Sequence, residues 1–180
     1  NGTIICQALK PEEEVPITGI AGRRNFAAVN IAKNCMNSEP GFCKKLLEAF
    51  EENEISFEHM PSGIDTVSVI LPKEAYEQKE DAIMASLNRL LAPDKIEVDR
   101  DMALVTVVGK GMRSVSGIAA TFFSSLGAAN VNIKMIDMGS NEVNCTIGVK
   151  NEDFEQAIRA LYYALVEPER AGGVVGTGTV

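Results

Sequence analysis

The stretch Ala27–Val69 reads AAVNIAKNCMNSEPGFCKKLLEAFEENEISFEHMPSGIDTVSV, and it returns 76 residues later as Ala103–Cys145, ALVTVVGKGMRSVSGIAATFFSSLGAANVNIKMIDMGSNEVNC. The two stretches align over 43 positions without a gap and share seven identical residues. Elsewhere apolar character is kept where a core needs it, as where Phe123 replaces Leu47. Self-similarity at a fixed period indicates a duplicated structural unit, so we call the two stretches the first and the second copy.

Each copy carries the signals of the same five elements in the same order. Apolar β-branched runs and alternating apolar and polar residues predict strands, whereas apolar residues at helical spacing predict helices. The first copy predicts strand, helix, strand, strand and helix over Ala27–Ala32, Phe42–Phe50, Ile55–His59, Thr66–Leu71 and Lys73–Leu91. The second copy predicts the same order over Ala103–Val108, Ile118–Leu126, Val131–Met135, Glu142–Val149 and Glu152–Val166.

A closing strand completes each copy and sets the fold class as α+β. Ile96–Asp99 follows the first copy, which gives the order βαββαβ, an antiparallel sheet with two helices on one face as in ferredoxin-like folds. The second copy is followed by a tail rich in Gly and Thr, so we assign it Ile17–Ala21, a short strand before the first copy. We therefore predict two ferredoxin-like βαββαβ modules, with the first module inserted into the second.

The composition disfavours several classes of function. The chain has 25 acidic and 17 basic residues, and the basic ones are scattered, which argues against nucleic acid as a partner. The longest apolar runs have the length of strands, too short to span a membrane, and the first residues lack the features of a secretory signal. Four cysteines without a CxxC pair, and one histidine, predict free buried thiols in a reducing compartment rather than a zinc site; they are Cys6, Cys35, Cys43 and Cys145.

Three segments carry a resemblance to a known family. They are ITGIAG from Ile17, FEHMPSGIDTVSVIL from Phe57, and GKGMRSVSGIAATFFSSLGAANVNIKMIDMGSNEVNCTI from Gly109. Together with the two βαββαβ units, they resemble the paired ACT modules of aspartate kinases, over about Gly2 to Val166. In that family a kinase transfers phosphate from ATP to the side-chain carboxylate of aspartate, and ACT modules bind an end-product amino acid that inhibits the kinase.

The resemblance implies a regulatory region rather than a catalyst. No segment has the form GxxxxGKS, GxxxxGKT or GxGxxG before a helix. We therefore expect no catalytic residue, no metal and no cofactor in this chain, with ATP and Mg bound by an absent kinase domain. We expect a cytoplasmic excised fragment or a separately made regulatory subunit.

The resemblance and the repeat together predict the domain boundaries. Residues 1–15 are predicted to be a remnant linker from the kinase domain, and residues 25–100 to be ACT module 1. Residues 16–24 and 101–167 form the predicted ACT module 2, and residues 168–180 a flexible tail. The short link Arg100–Met102 leaves the modules little freedom to separate.

A site for a free amino acid must bind a carboxylate and an ammonium group. Backbone N–H groups at a helix start suit the carboxylate, and in module 1 that start follows Ser38, with Gly41 permitting close approach. The ammonium needs acidic groups, for which Glu58 and Asp65 are candidates. The resemblance adds Ser56, two positions before Glu58, and the turn before the third strand. The predicted effector site comprises Met36, Asn37, Ser38, Gly41, Phe42, Cys43, Ser56, Phe57, Glu58, Ile64, Asp65, Thr66 and Val67.

Structural roles for several of these residues remain open at this point. Ser38 would cap the helix start whether or not it binds a ligand, and Gly41 would also suit a tight turn. Asp65 could cap its own turn, and Glu58 could be a solvated strand residue. Met36 is more often a core residue than a ligand contact.

The second module differs at the positions that would bind an ammonium group. In the gapless alignment Lys134 stands in the place of Glu58, and Asn141 in the place of Asp65. A lysine at this position would repel a ligand ammonium. We therefore predict that module 2 is structural, or relays the signal, rather than being an equivalent second site.

The effector and the partners are predicted as follows. Lysine is the first expected effector, because its two ammonium groups match two carboxylates; threonine is the second, because Ser56 or Thr66 could meet its hydroxyl. A homodimer through the first modules is expected, since exposed sheet edges tend to be covered and the family's modules pair across a two-fold axis. The alternative is a ligand-free dimerisation module of the same kinase. An enzyme built on this scaffold is disfavoured, because no nucleophile and base pair up.

Overall fold

The structure is a computed structural model, and it describes residues 17–112, 115–139 and 143–167. Over these residues it has strands and helices in the order β1 Gly19–Ala32, α1 Phe42–Glu51, β2 Thr66–Pro72, α2 Lys73–Leu91, β3 Lys95–Val108, α3 Ile118–Ala128, β4 Met135–Met138, β5 Asn144–Val149 and α4 Phe154–Leu165. None of the described helices is both long enough and apolar enough to cross a bilayer. The predicted linker 1–15 and tail 168–180 lie outside the described residues.

The described residues divide into two compact units. The first-copy unit comprises Arg23–Leu104 with Lys150–Glu152, and the second-copy unit comprises the other described residues. Strands β2, β1 and β3 are neighbours in the first unit, and β3, β5 and β4 are neighbours in the second. The pairs β1–β2 and β4–β5 are antiparallel, and α1 packs with α2 as α3 packs with α4. The predicted α+β class with antiparallel strands is therefore confirmed.

Two strands are longer than the sequence predicts. Strand β1 includes most of the predicted strand Ile17–Ala21 and all of Ala27–Ala32. Strand β3 likewise joins Ile96–Asp99 to Ala103–Val108, so the predicted link Arg100–Met102 is part of a strand. The joining residues contain no proline, and charged side chains at exposed positions do not end a strand. Each of these strands contributes residues to both units.

The core of the first-copy unit is formed by one face of its strands and by α1 and α2. Alternate residues of β1 are buried there, namely Ala27, Val29 and Ile31. Helix α1 contributes Leu46 and Phe50, one helical turn apart. Burying a large apolar side chain of this kind contributes about 1.5–3 kcal/mol, so core packing decides which face of α1 remains at the surface.

The end of α1 explains why the predicted strand Ile55–His59 is not a regular strand. Glu54 has a positive φ of 52°, and the N–H of Ile55 donates to the carbonyl oxygen of Phe50 at 3.0 Å. This hydrogen bond closes the helix and uses a donor that a strand ladder would need. Pairing with β2 therefore begins only at Glu58.

The second copy ends its first helix in the same way. Asn130 has a φ of 55°, and the N–H of Val131 donates to the carbonyl oxygen of Leu126 at 2.9 Å. The predicted strand Val131–Met135 consequently starts late, and the observed strand is Met135–Met138. The sequence pattern misplaced both strands because it did not include the residues needed to end the helices.

The turn before the third strand is two residues longer in the second copy than in the first. The N–H of Glu58 donates to the carbonyl oxygen of Ile70, and the N–H of Lys134 donates to that of Gly148, each at 2.8 Å. The two donors are 76 positions apart in the chain, whereas the two acceptors are 78 apart. The gapless alignment missed this insertion, because turn residues carry no core pattern that would reveal a change of register.

The insertion changes the counterpart of Asp65. The N–H of Lys33 donates to the carbonyl oxygen of Asp65 at 2.9 Å, and the N–H of Gly109 donates to that of Val143 at 2.9 Å. The residue equivalent to Asp65 is therefore Val143, and the assignment of Asn141 is wrong. Asn141 itself lies outside the described residues. The second copy thus has an apolar side chain where the first has a carboxylate.

The cysteines only partly follow the expectation of buried thiols. Cys35, Cys43 and Cys145 are free, and Cys6 lies outside the described residues. Cys145 is buried in the second-copy unit, and desolvation raises the pKa of its thiol. Cys35 and Cys43 are exposed, because one lies in a loop and the other on the outer face of α1.

Candidate functional site

The loop between β1 and α1 has a conformation that its own side chains do not cap. Met36–Ser38 forms a single 3₁₀ turn, which Cys35 precedes with a φ of 59°. Gly41 is the N-cap of α1, and no side chain bonds to the backbone there. Ser38 Oγ donates to Asn37 Oδ1 at 3.3 Å instead. The prediction that Ser38 caps the helix is wrong, because Ser38 ends the 3₁₀ turn and residues 39–41 separate it from the first turn of α1.

Gly41 has a positive φ of 80°, in the left-handed region. A residue with a Cβ atom would lose roughly 1–2 kcal/mol in this conformation. Apart from its neighbours in the chain, no atom of the described residues lies within 4 Å of the position that a Cβ atom would take, so the space beside the helix start is open to that extent. The glycine is therefore explained by the backbone angle, and it leaves room for a small molecule to approach.

Two backbone hydrogen bonds hold this loop against the turn before β2. The N–H of Lys33 donates to the carbonyl oxygen of Asp65 at 2.9 Å, and the N–H of Asn37 donates to that of Ile64 at 3.2 Å. Two separate parts of the predicted effector site are therefore neighbours in the fold. The exposed predicted residues of this region are Asn37, Ser38, Gly41, Cys43, Ile64, Asp65 and Thr66.

The start of α1 offers backbone donors to a ligand. The first intrahelical hydrogen bond runs from the N–H of Lys45 to the carbonyl oxygen of Gly41 at 3.1 Å. Within the part of the chain that the structure describes, the N–H groups of Cys43 and Lys44 have no acceptor. The first turn contains no acidic residue, so the helix dipole and two adjacent lysines make this end positive.

Three of the predicted site residues belong to the hydrophobic core. Met36 is 5% exposed, Phe42 is 3% exposed and Val67 is 1% exposed. Their side chains pack against the interior and cannot offer functional groups to a ligand at the surface. Their structural role is to hold the loop and the turn on the core.

The remaining predicted residues, 56–58, lie away from this region. The N–H of Glu58 bonds to Ile70, which lies four residues along β2 from Thr66 and hence about 13 Å from the turn. The carboxylate of Glu58 accepts a hydrogen bond from Arg23 Nη2 at 2.9 Å. Within a single chain, therefore, the two predicted acidic residues do not form one cluster.

An open groove of about 580 Å³ lies beside residues 56 and 57. Two of its side chains are partly exposed, Leu47 at 38% and Phe57 at 39%, so the groove presents apolar surface with an acidic edge. It is lined by Leu47, Phe50, Glu51, Glu54, Ile55, Ser56 and Phe57.

Sequence reasoning missed a cluster of charges beside the loop. Lys33 Nζ donates to Glu39 Oε2 at 2.6 Å, and Lys45 Nζ donates to Glu39 Oε1 at 2.7 Å. We call these three residues the charge clamp. The hydrogen bonds from Lys33 and Lys45 hold the pKa of the Glu39 carboxyl below its ordinary value. The three residues lie after a strand, in an irregular loop and in a helix, so no single periodic pattern in the sequence links them.

The second copy has the same helix-start glycine and core methionine, and it lacks the residues of the charge clamp. Its helix-start glycine, Gly117, has a φ of 82°, and its core methionine, Met112, is buried. The positions 76 residues after the clamp hold Gly109, Val115 and Thr121, none of them charged. The charge clamp therefore distinguishes the first copy from the second.

Comparisons with known proteins agree with the fold. Residues 105–165 match the family described as ACT domain. Aspartokinase 3 of Bacillus subtilis is 37% identical over 148 residues, which are 82% of this chain and 33% of that protein. The chain thus spans about a third of the length of this curated relative.

Solved structures give the same result. Aspartate kinase of Clostridium acetobutylicum, described as an allosteric enzyme, matches with a TM-score of 0.81 and 44% identity, over 86% of this chain and 36% of that one. E. coli aspartokinase III in complex with lysine and aspartate matches with a TM-score of 0.70 and 25% identity, over 88% and 35%. The regulatory subunit of aspartate kinase from Thermus flavus shares the fold, with a TM-score of 0.71 and 22% identity, over 83% of this chain and 98% of that subunit.

These similarities first define a fold, which this chain shares with the aspartate kinase structures, and an ACT domain match at residues 105–165. Beyond this fold the chain is homologous to aspartokinases, and it contains an ACT domain at residues 105–165. The resemblance to aspartate kinases that the sequence predicts is confirmed.

Proposed function

We propose that this chain is an amino-acid-binding regulatory region of an aspartate kinase, and that its first-copy unit senses the effector. The observation that carries the proposal is the joining of the β1–α1 loop to the turn at Ile64 and Asp65 by two backbone hydrogen bonds. The joined segments lead to the N–H groups of Cys43 and Lys44, which suit a carboxylate, and contain the exposed carboxylate of Asp65, which suits an ammonium. A zwitterionic amino acid needs both groups at short range.

The carboxylate of the effector would bind at the start of α1. The N–H groups of Cys43 and Lys44 lack an acceptor within the described residues, and the open space beside Gly41 admits a ligand. The positive end of the helix dipole and the adjacent lysines favour an anion there. The ammonium would then face Asp65, across the hydrogen-bonded junction.

L-Lysine remains the first proposed effector and L-threonine the second. The solved complex of E. coli aspartokinase III with lysine and aspartate supports lysine as an effector chemistry for this fold. The argument from two adjacent carboxylates is weaker than the sequence suggests, because Glu58 lies apart from Asp65 within one chain. A second carboxylate must therefore come from elsewhere if it takes part.

We also propose a homodimer through the first-copy units, with the effector sites at the seam. Within one subunit Glu58 pairs with β2 about 13 Å from the turn that contains Asp65, so we infer that a second acidic contact to the ligand comes from the partner subunit. A second subunit that packs against the edge of the sheet could supply its residues 56–58. The apolar groove at Leu47 and Phe57 provides surface for such an association.

The predicted boundaries, the insertion of module 1 into module 2 and the cytoplasmic location stay proposals of the same account. No cofactor enters the proposed regulation, with ATP and Mg bound by the kinase domain. Among the described residues, no group of three or more His, Cys, Asp or Glu could hold a metal ion. The alternative function is a dimerisation module that binds no effector.

Thermal unfolding in the presence of each of the twenty amino acids tests the proposal against this alternative. A ligand that binds only the folded state adds about 2.7 kcal/mol to the free energy of unfolding when its concentration is a hundred times Kd. The melting temperature rises as a result. We expect a shift with L-lysine, or with L-threonine if the ranking is reversed. A melting temperature that none of the twenty amino acids changes would favour the dimerisation module.

A further inference from the structure

The charge clamp connects three elements of the first-copy unit at its surface, in addition to their contacts in the core. Lys33 follows β1, Glu39 lies in the loop, and Lys45 lies in α1. The Glu39 carboxylate uses one oxygen for each lysine, at 2.6 Å and 2.7 Å. Its side chain is 26% exposed, so the interaction is partly shielded from solvent.

The position of Lys33 is fixed independently of Glu39. Its Nζ also donates to the carbonyl oxygen of Leu91 at 2.6 Å, at the C-terminal end of α2, where the helix dipole favours a cation. The ammonium lies 5.7 Å from the centre of the Phe42 ring. Lys33 therefore attaches the clamp to the C-terminal end of α2, and Glu39 links Lys33 to Lys45 through its two carboxylate oxygens.

The loop needs such an anchor, since its backbone is not in a relaxed conformation. Cys35 has a φ of 59°, a left-handed angle that is costly for a residue with a side chain. Among the residues that the structure describes, no side chain caps either the 3₁₀ turn or the start of α1. Lys44 and Lys45, at the start of α1, oppose the helix dipole. Glu39 offsets the charge of Lys45, while Lys44 and the helix dipole leave the helix start positive.

We propose that Glu39 is a positioning residue of the effector site, because through Lys33 and Lys45 it holds the β1–α1 loop in the conformation that binds the amino acid. This inference rests on the proposed function. The second copy lacks all three charges at the corresponding positions, Gly109, Val115 and Thr121, although its loop starts its helix with the same glycine angle. The clamp is therefore found in the copy that we propose binds the effector, and its three charged residues are absent from the corresponding positions of the other copy.

The test compares Glu39→Gln with Glu97→Gln in the 180-residue chain. Glu97 pairs with Lys95 at 2.8 Å on β3, so each variant removes one carboxylate from a surface ion pair of the same unit. Amide hydrogen exchange without ligand, and calorimetric titration with L-lysine and then L-threonine, are measured for both. We expect Glu39→Gln to speed exchange at residues 36–45 and to raise Kd about fivefold, whereas Glu97→Gln should change neither.

A double variant separates the clamp from a general loss of charge. Lys33→Met should weaken binding as Glu39→Gln does, and the two substitutions together should cost no more than either alone. An unchanged Kd in Glu39→Gln, with the parent protein binding normally, would overturn the positioning role alone. Additive losses in the double variant would also overturn it. An absence of heat in the parent itself would overturn the proposed function, and the positioning role with it.

Discussion

The backbone N–H of Asn37 donates a hydrogen bond to the carbonyl oxygen of Ile64 at 3.2 Å, which joins two segments that lie 27 positions apart in the chain. Together with the hydrogen bond from Lys33 to Asp65, it holds the loop that precedes α1 against an exposed acidic turn. Neither segment alone could recognise both charges of an amino acid. The junction is therefore the structural basis of the proposed effector site.

The carboxylate of Asp65 should be needed for binding, since it faces the ligand ammonium in the proposed site. We expect Asp65→Ala to raise Kd for L-lysine by at least about tenfold, because a charge-assisted hydrogen bond is lost. Asp81→Ala, on the exposed face of α2, is the control and should change Kd less than about twofold. Equal affinity of the Asp65 variant and the parent in calorimetry would place the site elsewhere.

Mixing two variants tests whether the site is shared between the two subunits of the proposed dimer. If Asp65 of one subunit and Glu58 of its partner subunit meet at the dimer interface, the variants Asp65→Ala and Glu58→Ala should each lose binding. Mixed dimers would then contain one site in which both residues are intact, so about a quarter of all sites should bind again. Calorimetry of the mixture after subunit exchange provides the measurement. If Glu58→Ala alone binds normally, the residue is a surface partner of Arg23 and not a ligand contact.

Gly41 and Gly127 form a matched pair for backbone effects. Neither has an atom within 4 Å of the position of a new Cβ, so substitution by alanine creates no clash at either site. Gly41→Ala should destabilise the protein by roughly 1–2 kcal/mol, because of its φ of 80°. Gly127→Ala lies within α3 and should stabilise it by about 0.5 kcal/mol. Urea unfolding measures both, and effects of equal sign would contradict the explanation.

The stabilising effect of the charge clamp should depend on pH in one direction. The Lys33 and Lys45 ammonium groups lower the pKa of Glu39 below its ordinary value of 4.5 in the folded state. The contribution of these ion pairs to the free energy of unfolding is therefore fully present above pH 4.5, and it is lost as the pH falls through the lower, folded-state pKa of Glu39. We expect the urea midpoints of the parent and of Glu39→Gln to differ at neutral pH and to converge under acid conditions. A difference that grew as pH fell would contradict this sign.

Much of the fold follows from local patterns, and the exceptions have physical causes. The helix Lys73–Leu91 has the limits that the sequence predicts, and Phe154–Leu165 lies within its predicted range. The strand predicted from Ile55 failed because the residue donates to a helix-closing hydrogen bond. The insertion before Val143 was missed because exposed turns carry no apolar period.

The sequence predicts which segments form the candidate site, but it does not predict which of their charged residues lie together. The loop and the turn follow from the repeat and from the family resemblance. The distance between Glu58 and the turn depends on how many residues of β2 separate them, which only the strand register reveals. The bridge from Lys33 through Glu39 to Lys45 depends on the path of an irregular loop, for which the sequence has no periodic signal.

The most direct measurement is a titration of the isotope-labelled chain with L-lysine, followed through the chemical shifts of its backbone amides. The account predicts saturable shifts at residues 37–45 and 64–66 of the first-copy unit, with the largest changes at Cys43 and Lys44. Residues 115–121 of the second copy should remain unchanged. Shifts confined to the second-copy unit, or none with L-lysine or L-threonine at millimolar concentration, would contradict the assignment of the effector site to the first copy.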